Sequence, residues 1–136
     1  MFANLVLAVD GSEPSLRASE QALVLAEKSQ GYVYLVYVVD RYERRKNNKQ
    51  PFDHMSKKQI EEIKQIERKA RSKQINVQVI ILKGEPAKAI LNFANEKAVD
   101  LIVVGSRGLN HLQQLVLGSV SYKIMKNAPC SVLIVK

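Results

Sequence analysis

Residues 100–119 read DLIVVGSRGLNHLQQLVLGS: a short apolar run that breaks into Gly105 and Gly108 and, after nine more residues, Gly118-Ser119. Three of the chain's six glycines fall here. Glycine serves where a backbone must take positive φ or where another group comes close to it. Asp100–Val104 has the unbroken apolar character of a strand covered on both faces, and Gly118–Asn127 has a helical pattern. The stretch therefore predicts strand, glycine-rich loop, helix.

Working outward, the same alternation repeats. Asn4–Val9 is a second continuous apolar run, broken by Asp10-Gly11-Ser12, and Ser12 with Pro14 signals a helix start. Ser15–Ser29 is helical in period, with Ala18, Ala22, Leu25 and Ala26 on one stripe. Tyr32–Val39 (YVYLVYVV) is β-branched and aromatic, as strands are. Lys57–Lys73 sets Ile60, Ile63, Ile66 and Ala70 on one helical face. Asn76–Leu82 is a strand, and Gly84-Glu85-Pro86 opens a helix bearing Ala87, Ile90, Leu91, Ala94 and Ala98. Ser131–Val135 is a last strand. The order βαβαβαβαβ predicts one doubly wound α/β domain over residues 1–136, a parallel sheet with helices on both faces.

Composition agrees: 136 residues suit one core, and 46% are hydrophobic with 25% charged. The first apolar run is interrupted by Asp10 and lacks a basic flank, so it reads as a strand and not a signal peptide. The single cysteine, Cys130, points to a reducing, cytoplasmic setting. Residues 41–74 hold twelve Lys/Arg against five Asp/Glu, a net +7 of the chain's +8. Such a segment can attract nucleic acid or anionic membrane. The preferred reading is a mobile basic loop over 41–55 running into a solvated helix face.

In open parallel sheets, ligands bind beyond the carboxyl ends of the strands, where the strand order reverses. With the order 3-2-1-4-5 the reversal lies between strands 1 and 4, so the turn at Asp10 and the loop at Gly105 meet although 95 positions separate them. Loop amides and a helix N-terminus form a site for anions, with the helix dipole assisting. The amides of Gly118, Ser119 and Val120 are expected to supply it, for a phosphate or polyphosphate. The run between the glycine pairs is expected to pack as a short helical turn that sets their separation. The segment is neither a G-x4-G-K-[ST] loop nor a G-x-G-x-x-G fingerprint after strand 1.

GSRG at 105–108, nine residues, Gly118-Ser119, a first strand ending VDGS, and PCSVLIV from Pro129 together resemble the universal stress protein family, over the whole chain. The G-x2-G-x9-G-[ST] pattern resembles that of its ATP-binding branch. The resemblance implies a five-stranded parallel sheet in the order 3-2-1-4-5, homodimers, and ATP held between the loops after strands 1 and 4. It implies that Ala8, Val9 and Asp10 form the first ligand segment and that Val38 reads adenine through its backbone. Gly105, Arg107, Gly108, Gly118, Ser119, Val120 and Ser121 would contact ribose and phosphates. Asp10 would meet the ribose directly or reach the phosphates through Mg²⁺. The 41–55 loop departs from the family's pattern, and no role carries over to it.

No nucleophile triad, paired-carboxylate site or metal-ligand spacing is legible, so no catalytic or metal residue is assigned. Cys130 reads as a small packed residue. The expected function is an ATP-binding stress or regulatory protein acting through nucleotide occupancy, with slow hydrolysis at most, since Arg107 is the only cation inside the motif. The homodimer is expected to form through Ser131–Val135, an apolar edge that a twin strand would cover. The alternatives are a true ATPase or adenylyl-transfer enzyme, and an adaptor working through residues 41–74.

Overall fold

The computed structural model describes residues 2–39, 55–106 and 117–136. Among them the order is β1 (Asn4–Ala8), α1 (Glu13–Ser29), β2 (Tyr32–Val39), α2 (Lys57–Ser72), β3 (Val77–Lys83), α3 (Pro86–Glu96), β4 (Leu101–Gly105), α4 (Ser119–Asn127) and β5 (Ser131–Val135). The strands form one sheet in the order β3-β2-β1-β4-β5, every pair parallel. This is the predicted doubly wound topology. The order reverses between β1 and β4, where Leu5 to Ala8 lie beside Leu101 to Val104.

Period-two alternation along the buried strands divides the core into two layers. Leu5, Leu7, Val33, Leu35, Leu101 and Val103 face α1 and α2, where Ala18, Ala22, Ile63 and Ala70 meet them. Val6, Ala8, Val36, Ile102 and Val104 face the other way, onto Ala87, Ile90, Phe93 and Ala94 of α3 and Ile124 of α4. Leu5, Leu7, Leu35 and Ile102 are almost wholly excluded from solvent, and each such side chain contributes roughly 1.5–3 kcal/mol over leaving it exposed.

Local chemistry sets the helix ends. Ser12 caps α1, two residues before Pro14, and its hydroxyl accepts from the Ser15 amide. The helix starts at Glu13, earlier than the apolar stripe suggests, because the cap and the proline act before the first buried residue. Leu23 is buried in α1 and Leu25 only partly so. On α2, Ile63, Ile66 and Ala70 are buried and Ile60 half-buried, as its spacing predicts. Ala98 departs from the prediction: α3 ends at Glu96, and Ala98 is exposed at φ 52°, so that Val99 enters the core in its place. The expected 41–55 loop lies outside the described residues except for Met55, which is buried in the layer beneath α1 and α2. The exposed face of α2 carries ion pairs, Arg68 with Glu61 at 3.0 Å and Arg71 with Glu67 at 3.1 Å. That is how a solvated helix face is built.

Candidate functional site

Two chain breaks at the switch point make the site. After β1, the Val9 amide still donates to the Val36 carbonyl, 2.9 Å, and then the chain turns. The Asp10 amide donates to Ser15 Oγ at 3.0 Å, and Asp10 Oδ1 accepts from the Ser12 amide at 2.9 Å. Asp10 is thus held by the turn that starts α1. After β4, the Ser106 amide donates to the Val135 carbonyl and the Gly118 amide to the Ser106 carbonyl, both 2.8 Å. The two ends of the glycine loop are therefore tied together on β5.

The first intrahelical bond of α4 runs from the Tyr122 amide to the Gly118 carbonyl, 2.9 Å. The amides of Ser119, Val120 and Ser121 precede it and have no acceptor within the helix. Elsewhere a side chain fills this role: Ser12 caps α1, Ser56 caps α2, and Glu85 caps α3 by accepting from the Ala87 and Lys88 amides. Gly118 caps α4 with no side-chain bond, and its first turn has no acidic residue. One expectation changes here. The Gly118 amide is committed to Ser106, so the open set is 119–121, one residue further on than the sequence suggests.

The glycine at 105 also has a different reason from the one expected. It is the last residue of β4, paired with Val135, and a Cβ there would lie 2.8 Å from the Pro14 carbonyl carbon and the Ser15 nitrogen. Its small size lets the start of α1 pack onto β4. The Ser121 hydroxyl, buried, donates to the Gly105 carbonyl and clips α4 to the same strand. That hydroxyl is thereby spoken for, which leaves the Ser121 amide as its open group.

Between these breaks lies a cavity of about 390 Å³, within the range of small-molecule sites. Ala8, Val9, Asp10 and Val38 line it from β1 and β2, and Gly105, Gly118, Ser119, Val120 and Ser121 from β4 and α4. Arg107 and Gly108, and all but Leu117 of the run between the glycine pairs, lie outside the described residues. Sequence reasoning did not name Val36 and Tyr37 of β2, Gln59 of α2, or Pro86 and Ile90 of α3, which also line it. The S-x-x-Q spacing of Ser56 and Gln59 was a usable signal for the start of α2. Pro86 and Ile90 read only as helix start and core.

The lining divides by chemistry. Val36, Val38, Pro86, Ile90 and Val104 make an apolar wall suited to a flat ring, and α4 presents its positive end. Among the described lining residues Asp10 is the single acidic group, and there is no Lys or Arg. Lys123 of α4 pairs instead with Glu85 at 3.7 Å, joining α4 to α3. Among the described residues no group of three or more His, Cys, Asp or Glu could hold a metal ion. No helix among them is long and apolar enough to cross a membrane.

The fold and cleft define a doubly wound α/β protein with a cavity of small-molecule size at its switch point. Residues 1–136 match the universal stress protein family, and the chain belongs to it. Universal stress protein YxiE of Bacillus subtilis is 34% identical, with all of both chains covered. Among solved structures, hypothetical protein MJ0577 superposes with a TM-score of 0.86 at 25% identity, covering 100% of this chain and 96% of that one. A universal stress protein in complex with cAMP gives 0.77 at 24% identity, covering 98% and 96%. An Arabidopsis thaliana family protein with AMP bound gives 0.69 at 21%, covering 98% and 90%.

Proposed function

We propose that this chain is an ATP-binding universal stress protein that acts in the stress response through nucleotide occupancy, with slow hydrolysis at most. The observation that carries the reading is the uncapped start of α4, with the Ser119, Val120 and Ser121 amides opening on the cavity. Two relatives of the same fold, solved with cAMP and with AMP, support a nucleotide as the ligand class. The phosphates sit at α4, where the open amides and the helix dipole favour an anion. The base lies against the apolar wall, with the Val38 backbone beside it, and Ala8, Val9 and Asp10 border the ribose. Arg107 and Gly108 complete the phosphate loop by their position in the motif. Asp10 is the carboxylate available to a phosphate-bound Mg²⁺, an ion that commonly uses one or two carboxylates with substrate phosphates.

We further propose a cytoplasmic homodimer. β5 is an edge of the sheet, and Val132, Leu133, Ile134 and Val135 are only half-buried on it, a surface that a second copy covers by two-fold pairing. Calorimetric titration with ATP, with and without Mg²⁺, and with AMP and cAMP, tests the nucleotide reading. ATP binding at one site per chain is expected, and a folded protein that binds none of the three overturns it. Single-turnover measurements with saturating protein give the rate of hydrolysis. Multiple turnovers on the scale of an ordinary enzyme would reject occupancy as the mode of action.

A further inference from the structure

Gln59 is the one α2 residue on the cavity wall, and its bonding fixes which end of its amide is available. It is the third residue of α2 and half of a capping box. The Gln59 amide donates to Ser56 Oγ at 3.0 Å, and the Ser56 amide donates back to Gln59 Oε1 at 2.9 Å. An N–H can only be met by the oxygen, so the side-chain orientation is determined, and Nε2 is the free end. Nε2 has no acceptor among the described residues. The residue is held in place on two sides: Ile63, Ile66 and Ala70 anchor α2 in the core, and Gln59 Cγ lies 3.6 Å from where a Cβ on Gly11 would be. Gln59 thus brings to the cavity wall a hydrogen-bond donor that the capping bond cannot turn into an acceptor.

Its position says which part of a ligand it meets. Gln59 borders the cavity with Tyr37 and Val38 at the end of β2, and the open α4 amides follow β4. β1 lies between those strands, and α2 and α4 cover opposite faces of the sheet. Gln59 therefore borders the part of the cavity beside the end of β2, away from the α4 amides where a phosphate would sit.

Resting on the nucleotide reading above, we propose that Gln59 is a specificity-determining residue of the cleft, its Nε2 donating to an acceptor nitrogen on the edge of the purine base. A base that lacks the acceptor leaves this half-buried donor without a partner once water is displaced, and a site built around a hydrogen bond rejects such a ligand.

The test is a chemical double-mutant cycle on the intact chain. The parent, Gln59→Glu and Gln59→Leu are titrated with ATP and with its 1-deaza, 3-deaza and 7-deaza analogues, in each of which one ring nitrogen is replaced by CH. Gln59→Glu keeps the capping oxygen and so melts at the parent's temperature, which controls for loss of fold. Gln59→Leu removes the donor without adding charge and weakens ATP about fivefold to tenfold, the ordinary worth of one neutral hydrogen bond. Gln59→Glu weakens it further, because a carboxylate then faces an acceptor. One analogue, the one missing the accepting nitrogen, binds the parent and Gln59→Leu equally. The inference is overturned if Gln59→Leu binds ATP as the parent does, or if it loses the same factor on all three analogues as on ATP. A parent that binds no ATP is a different result: it rejects the nucleotide reading itself, and this inference with it.

Discussion

Replacing Gly118 by Asp separates the stability of α4 from its proposed use as a phosphate site. Gly118 has φ −65° and ψ 159°, extended backbone open to any residue, so the exchange brings no backbone strain. An N-cap carboxylate accepts from the second or third helical amide, here Val120 or Ser121. Exchanging glycine for Asp at that position gains a few tenths of a kcal/mol, and a negative charge at a helix N-terminus adds about 0.3–1 kcal/mol. Together these raise the melting temperature of a chain this size by about 2–4 °C. The same carboxylate fills the amides that the phosphates need. Amide bonds to a charged group are worth about 1.5–3 kcal/mol each, so losing two weakens ATP at least ~100-fold, before counting repulsion between like charges. Gly118→Ser, a neutral cap, falls between parent and Asp in both measurements. Differential scanning calorimetry gives the first axis and isothermal titration with Mg²⁺-ATP the second. An Asp variant that melts higher and still binds ATP like the parent would refute the assignment of phosphates to α4.

Gly105→Val drives its Cβ toward backbone atoms 2.8 Å away at Pro14 and Ser15; overpacking of this kind costs about 1–3 kcal/mol, and a urea midpoint equal to the parent's would show that α1 shifts freely. The dimer proposal predicts a dimer at micromolar concentration in sedimentation and a folded monomer for Ile134→Lys; a stable monomeric parent rejects it. Asp100 concerns pH: burial pushes its carboxyl pKa up, but hydrogen bonds from the Asn4 and Ala3 amides, with smaller contributions from its own amide and the amino terminus, outweigh this and hold the pKa below its ordinary value. A lowered folded-state pKa gives stability that is present above the unfolded pKa and is lost as pH falls through the folded one. Asp100→Asn should therefore be less stable than the parent near about pH 7 and converge with it near about pH 2 in urea denaturation; a pH-independent gap would mean that the charge is irrelevant.

Topology was legible because buried parallel strands have a composition of their own. LIVV, VYLVYVV and SVLIV do not alternate with polar residues, and the helices between them do, so the period changes at each boundary. Helix starts were legible from caps and not from periodicity: Ser12 with Pro14, and Gly84-Glu85-Pro86, mark helices that begin ahead of the apolar stripe. At the end of α3 a left-handed turn at Ala98 hands the core position to Val99, and no pattern in the residue types announces it.

The site divides along the same line. Residues contributed by sharp chain breaks, Asp10 and the Gly105 and Gly118 clusters, are visible because glycine and Asx turns are rare enough to stand out. What those glycines do was not visible. Glycine spacing reports that something comes close, without saying what, and at Gly105 the N-terminus of α1 lies within 2.8 Å of where a Cβ would be. The wall residues were invisible for the opposite reason. Ile90, Pro86 and Val36 line the cavity with the same residue types that fill the core, and only the folded chain brings them to it. Gln59 is the intermediate case. Its capping role is written in the S-x-x-Q spacing, but its second role depends on α2 lying across the end of β2. That placement comes from Ile63, Ile66 and Ala70 in the core, so apolar packing one to three turns along the helix brings the amide to the cavity wall, and the capping bond sets its orientation.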